Sequence, residues 1–195
     1  MNKVDPYRIL VMVNLRANAG NAAKSWRRIK PKVLAMLPNE PILKEYEHPA
    51  EANAFLLACL EAHDINCLIS VGGDGTLNAL LNTLLNSKEF NSSDFYLGAI
   101  GLGSSNDFMK PVCTTINNFP ARLNFKKVSG HDIGSVSFLN PEGEHQTRYF
   151  IVNASLGATA EANLFFNNVN RFLKFLKKWA KALAILYAAI RTIGH

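Results

Sequence analysis

The sequence predicts an α/β fold: a parallel sheet with helices on both faces, followed by an antiparallel β region and a C-terminal helix. Three observations predict it. Short apolar runs alternate with stretches of helical period over the first two-thirds of the 195 residues. Two glycine-rich loops each follow a buried-type strand. After about Asn124 two strand-like segments occur with only a turn sequence between them. Strand and helix in alternation require crossover connections, and right-handed crossovers bring every strand-to-helix loop to one sheet edge.

The elements justify this in order. Arg8 to Asn14 is an apolar run ending in the loop-type stretch Arg16-Ala17-Asn18-Ala19-Gly20, and Ala22 to Leu37 carries a helical pattern. Pro38 and Pro41 punctuate. Ile42 to Tyr46 reads as a second strand, and Ala50 to His63 places Ala, Phe and Leu at helical spacing. Cys67 to Val71 is a buried strand, Gly72-Gly73-Asp74-Gly75 a turn, Leu77 to Leu85 an apolar helix and Phe95 to Ile100 a further strand. Then Gly101-Leu102-Gly103-Ser104-Ser105-Asn106-Asp107-Phe108 supplies glycines and hydroxyls that open another helix. His131 to Phe138 and Tyr149 to Ser155 are strands around the turn Asn140-Pro141-Glu142-Gly143, and Asn167 to Ile193 is helical. The predicted domains are 1–124 and 125–195.

Composition narrows the function. Hydrophobic residues make up 48% and charged residues 18%, a balance that excludes disordered and low-complexity classes. The three cysteines, Cys59, Cys67 and Cys113, have no CxxC spacing and fit neither a disulfide framework nor a zinc site, which suggests a reducing, cytoplasmic setting. The N-terminus has no signal-peptide core, and no apolar stretch reaches the roughly 20 residues needed to span a bilayer. The net charge is +6. From Arg171 onward there are six Lys or Arg and no acid, which directs attention to anionic partners. Arg171 to Ile193 mixes Phe, Leu and Trp with Lys at helical spacing, a pattern suited to the inner membrane face or to packing against a second domain. No nucleic-acid-binding motif accompanies the charge.

The chemistry concentrates in the two glycine loops. Three glycines in four positions after a strand open dihedrals closed to other residues and bring N–H groups to a ligand, while the following helix adds the positive end of its dipole. That is a phosphate site. Asp74 would repel a bare phosphate, so its carboxylate belongs with Mg²⁺, with water on Mg²⁺, or with a donor that orients the loop. A tight turn capped by Thr76 is the purely structural alternative. Neither loop is followed by Gly-Lys-Ser/Thr or reads as GxGxxG with an acidic ribose partner.

Gly72-Gly73-Asp74-Gly75-Thr76-Leu77-Asn78, followed by Gly103-Ser104-Ser105-Asn106-Asp107-Phe108, resembles the GGDGT and GTxND motifs of the diacylglycerol kinase catalytic domain, shared with bacterial soluble lipid kinases and with sphingosine and ceramide kinases. Asn14 and the Gly20 loop resemble that family's N-P-x-S-G segment. His131-Asp132-Ile133-Gly134 and Phe150 to Gly157 resemble its domain-crossing segment. NAD kinase and phosphofructokinase share the GGDG turn without the second motif. The resemblance implies that 1–124 is a nucleotide-binding domain and that the antiparallel region after it is the start of a β-sandwich, and it implies transfer of the γ-phosphoryl group of ATP to a lipid hydroxyl, diacylglycerol or a relative, with ATP and Mg²⁺ as substrate and cofactor. It implies nucleotide contacts at Asn14, His48, Gly72, Gly73, Asp74, Gly75, Thr76, Asn78, Gly103, Ser104, Asn106 and Asp107, with Asp74 reaching Mg²⁺ through the nucleotide.

Departures from the pattern are Leu15 and Ala17 in the first loop, His48 for a threonine, Ala79 for an acid and Ser104 for threonine. The family's general base matches a position beyond His195, with Asp132 and Glu161 the nearby acids. The expected alternative is therefore a catalytically incomplete nucleotide-binding or membrane-associated fragment, completed by an oligomer or partner chain.

Overall fold

The computed structural model describes residues 7–91 and 95–154. The chain divides into two compact units, 1–152 and 153–195. The predicted helix from Asn167 to Ile193, the acid Glu161 and the segment Ser155 to Gly157 lie outside the described residues.

The strands β1 (Ile9–Asn14), β2 (Ile42–Tyr46), β3 (Cys67–Gly72) and β4 (Tyr96–Gly101) are parallel neighbours in the order β2-β1-β3-β4. They are joined by the helices α1 (Asn21–Met36), α2 (Pro49–Glu61) and α3 (Asp74–Leu85). β1 and β3 read as continuous apolar runs because the sheet is covered on both faces. Ile9, Val11, Val13, Ile69 and Val71 face α1, which buries Ala22, Trp26, Ile29 and Val33 at helical spacing. Leu10, Met12 and Leu68 face the other way, against Leu56 and Leu60 of α2 and Leu80 and Leu84 of α3. Pro49 opens α2 at a position where a missing N–H costs nothing. Pro31 sits inside α1 on its exposed side, where water can take over the carbonyl it leaves unpaired. Cys59 and Cys67 are free and buried, and burial pushes the Cys67 thiol up to about 12, which keeps it inert.

Four expectations need correction. α3 begins at Asp74, three residues before Leu77, with Gly73 as its N-cap, so Gly75 and Thr76 belong to the first helical turn. The second glycine loop does not open an α-helix. A single 3-10 turn, Asp107–Met109, leads into two short strands, β5 (Thr114–Ile116) and β6 (Phe119–Arg122); β6 pairs antiparallel with β4, and β5 pairs antiparallel with β6 at the sheet edge. The hairpin strands are β7 (Gly134–Leu139) and β8 (His145–Phe150), both displaced from the expected ranges. The turn explains this: Gly143 takes φ +82°, and pairing of Leu139 with His145 makes β8 run straight out of it. Finally, positive φ among the described glycines occurs at Gly20 and Gly143, outside both phosphate-type loops, so unusual dihedrals are not why those loops contain glycine.

Candidate active site

The carboxyl ends of β1, β3 and β4 deliver Asn14, Gly72 and Gly101 to one edge of the sheet, where parallel α/β folds form their ligand crevices. The two glycine loops meet there backbone to backbone. The N–H groups of Leu102 and Gly103 both donate to the Gly72 carbonyl, at 2.7 and 2.9 Å. A Cβ on Gly73 would stand 2.9 Å from the Ser105 carbonyl oxygen and 3.0 Å from the Gly103 Cα, and a Cβ on Gly103 would run into the Gly73 backbone. Glycine at these positions is a requirement of close approach between loops.

Asp74 locks the pair. One carboxylate oxygen accepts from the Asp107 N–H at 2.8 Å and the Ser105 hydroxyl at 2.7 Å, and the other accepts from the Phe108 N–H at 3.1 Å. The Asp74 N–H donates in return to the Ser105 carbonyl at 3.1 Å. Of the readings open for this acid in the sequence, the structure contains the orienting donors. Ser105 also lies 3.0 Å from an Asp107 carboxylate oxygen, so one hydroxyl proton serves two carboxylates. Hydrogen bonds from Lys110 and then Ser105 hold the Asp107 carboxyl below its usual range. Phe108 is buried beneath this turn, with the Arg122 guanidinium 4.7 Å from its ring centroid.

Other predicted residues fall into three groups. Asn14 donates through Nδ2 to the buried Thr76 hydroxyl at 3.0 Å and accepts from the Arg16 N–H, tying β1 to the first turn of α3. Asn106 braces its own loop through both the N–H and the carbonyl of Gly103. Three residues stand outside this network. Ser104 is exposed beside it, while its neighbour Ser105 makes the contacts. His48 caps α2 through its backbone carbonyl alone, without a side-chain cap bond, and is exposed. Asn78 lies one turn further along α3, on a groove described below. Ser105 was missed because it occupies the variable position of the Gly-Ser-Ser-Asn-Asp segment. Its signal was a second hydroxyl next to the expected one.

The first turn of α3 is where the site is open. The Gly75 and Thr76 N–H groups have no hydrogen-bond partner among the described residues, as the geometry of a helix start dictates. A Cβ at Gly75 would meet nothing within 4 Å, and its φ is not positive, so neither packing nor backbone strain calls for glycine there. In the first loop Asn18, Ala19 and Gly20 take consecutive left-handed conformations, with φ of 53°, 55° and 86°.

The profile of the diacylglycerol kinase catalytic domain matches residues 8–136. The chain belongs to that family. It is 26% identical over 158 residues to the Bacillus subtilis (strain 168) protein described as "Putative lipid kinase YtlR", covering 78% of this chain and 48% of that protein. The chain thus spans about half the length of this curated relative. A solved diacylglycerol kinase from Bacillus anthracis str. Sterne aligns with 57% of this chain and 39% of its own at 22% identity and a TM-score of 0.44. A second chain from that strain covers 53% and 35% at 24% identity and a TM-score of 0.43.

Proposed function

We propose that this member of the lipid kinase family binds Mg-ATP at the junction of the two glycine loops and serves transfer of the γ-phosphoryl group to a lipid hydroxyl, diacylglycerol or a related lipid. The observation that carries the reading is the first turn of α3: two unpartnered backbone N–H groups at the positive end of a 12-residue helix, at a glycine whose added Cβ would face open space. Phosphate oxygens suit those donors. Asn14, Thr76 and the Gly73–Gly103 contact would hold the turn in place, so the donors are organised before the nucleotide arrives.

The fit of a divalent cation follows from the donor set. No group of three or more His, Cys, Asp or Glu side chains suited to a metal occurs among the described residues, so Mg²⁺ would arrive with the nucleotide phosphates. A carboxylate offers about four acceptor positions, and Asp74 already fills three with protein donors. One remains for a water on that cation. In the reaction the lipid oxygen bonds to the γ-phosphorus, the bond from that phosphorus to the ADP oxygen breaks, and the hydroxyl proton passes to a carboxylate base. Asp74 is committed to donors and Asp107 is held acidic by Lys110, while Asp132 is exposed just before β7; the resemblance matches the base to a position beyond His195, and we place it there, with Asp132 the described acid that remains. Among the described residues no helix is long and apolar enough to cross a membrane, and the basic-aromatic segment Arg171 to Ile193, the expected contact to a lipid surface, lies outside them.

Calorimetry with Mg-ADP and Mg-ATP tests the nucleotide half of the proposal, and lipid phosphorylation in mixed micelles tests the rest. Absence of nucleotide binding overturns the proposal. Binding without turnover favours the fragment reading, in which another polypeptide supplies the base.

A further inference from the structure

Along α3, away from its N-terminus, runs a groove of about 490 Å³ bordered by α2 and β8. It begins at Gly75, in the turn assigned above to phosphate, and continues past Asn78, Ala79 and Thr83 to Asn86, with Asn53 from α2 and Arg148 from β8 on its sides. The asparagines at 78, 82 and 86 recur every four residues and line one helix face. Asn82 fixes the groove's far wall: its side chain accepts from the Tyr149 N–H at 3.0 Å and donates to the Tyr149 carbonyl at 2.8 Å, occupying the outer edge of β8 as a neighbouring strand would. That docking holds Arg148 at the groove.

The lining is unusual for a site meant to hold acyl chains. Among the described residues that line it, Ala79 is the one aliphatic side chain and none is a carboxylate. Arg148 has no acidic partner among the described residues. The Asn78 side-chain amide has no hydrogen bond there, Asn53 is engaged only through its oxygen, by Thr83, and Asn86 only through its nitrogen. The groove therefore offers one unpaired guanidinium with amide donors and acceptors around it. That inventory matches a small polyol carrying one anionic group, with the anion on Arg148 and hydroxyls on the amides.

We propose that this groove binds a glycerol-phosphate type headgroup on the acceptor side of the site. The acceptor role rests on the kinase reading above. The ligand class rests on the lining alone. Such a headgroup can come from free sn-glycerol 3-phosphate or from a phosphatidylglycerol surface.

The test is a titration of the chain with sn-glycerol 3-phosphate, glycerol and inorganic phosphate, following the side-chain amide resonances of Asn53, Asn78 and Asn86. Bicelles of phosphatidylglycerol or phosphatidylcholine form the second arm. We expect sn-glycerol 3-phosphate to shift all three amides and to bind at least tenfold more tightly than glycerol or phosphate. Arg148→Gln, at an exposed position, should weaken it at least tenfold while leaving Mg-ADP affinity unchanged. Ala79→Leu, which fills the groove from a helical surface position, should abolish it. A response to phosphatidylglycerol but not phosphatidylcholine identifies the membrane source, and a response to the free ester alone identifies the soluble one. Unmoved amides with every probe, or equal affinity in Arg148→Gln, overturns the proposal even where Mg-ADP binds normally. Loss of Mg-ADP binding with intact glycerol-phosphate binding removes the kinase reading and leaves the groove's ligand class standing.

Discussion

Gly75→Ala separates ligand binding from folding. A Cβ at this position meets no atom within 4 Å and the backbone is not in the left-handed region, so the alanine is accommodated without strain. Alanine is favoured over glycine within a helix by about 1 kcal/mol, and by somewhat less in a first turn, so the gain should be about 0.5–1 kcal/mol. For a protein of this size that raises Tm by roughly 1–4 °C. The same methyl group adds bulk beside the Gly75 N–H, which on the proposed reading carries a phosphate. Displacing a phosphate from one charge-assisted hydrogen bond costs about 1.5–3 kcal/mol, or roughly ten- to 150-fold in Kd. Scanning calorimetry of the free protein and titration calorimetry with Mg-ADP should therefore move in opposite directions: a more stable protein that binds less well.

Gly73→Ala is the matched control, because its Cβ falls 2.9 Å from the Ser105 carbonyl and must push the loops apart. It should lose about 1–3 kcal/mol of stability together with affinity. Unchanged Mg-ADP affinity in a stabilised Gly75→Ala protein would refute the placement of phosphate on this turn, and a destabilised one would refute the geometry.

Asp74→Ala removes two part-buried backbone hydrogen bonds to a carboxylate, so Tm should fall by roughly 6–12 °C for an estimated loss of about 3 kcal/mol, with faster hydrogen exchange at the Asp107 and Phe108 amides and at least tenfold weaker nucleotide binding. Ala19→Gly relieves a left-handed alanine at φ 55° and should stabilise the chain by about 0.5–1 kcal/mol in urea unfolding. Glu45 accepts from Lys30 at 2.7 Å and from the buried Trp26 indole at 2.8 Å, and these bonds, Lys30 first, lower its pKa from 4.5. Its stabilising contribution should be complete above pH 4.5 and fade as the pH falls through the lower folded value. Trp26 fluorescence in a Trp179→Phe background should report that loss, and Glu45→Gln should remove this acid-range change.

The parallel half of the fold was legible because its physics is local. β1 and β3, covered on both faces, have to be continuous apolar runs, and α1 to α3 must repeat their apolar residues at helical spacing to cover them. β5 and β6 gave no such signal: they have three and four residues, one of them Pro120, and are held by pairing of β6 with β4 and of β5 with β6, and by Ile116 and Ala121 in the core. The same limit hid the groove. Asn82 and Tyr149 are 67 residues apart, and only the docked hairpin reveals that asparagines every four residues on α3 face an arginine. Within the glycine loops the residue types were readable but their reasons were not, since contact between Gly73 and Gly103 is a property of two loops together.

Asp74 shows why that distinction matters for mechanism. An acid in an anion-binding turn looks contradictory until its partners are known. The carboxylate accepts from Ser105, Asp107 and Phe108 in the neighbouring loop, while the free N–H groups of the same turn belong to Gly75 and Thr76. The charge is thus absorbed by protein donors, and the turn keeps its positive end for a ligand. On the proposed reading Asp74 supports binding by holding the two loops together, and it would meet the ligand through the one water position left to it. Loss of nucleotide affinity in an Asp74 variant therefore cannot by itself assign a metal or a proton to this carboxylate, whereas the opposed changes expected at Gly75 can locate the phosphate.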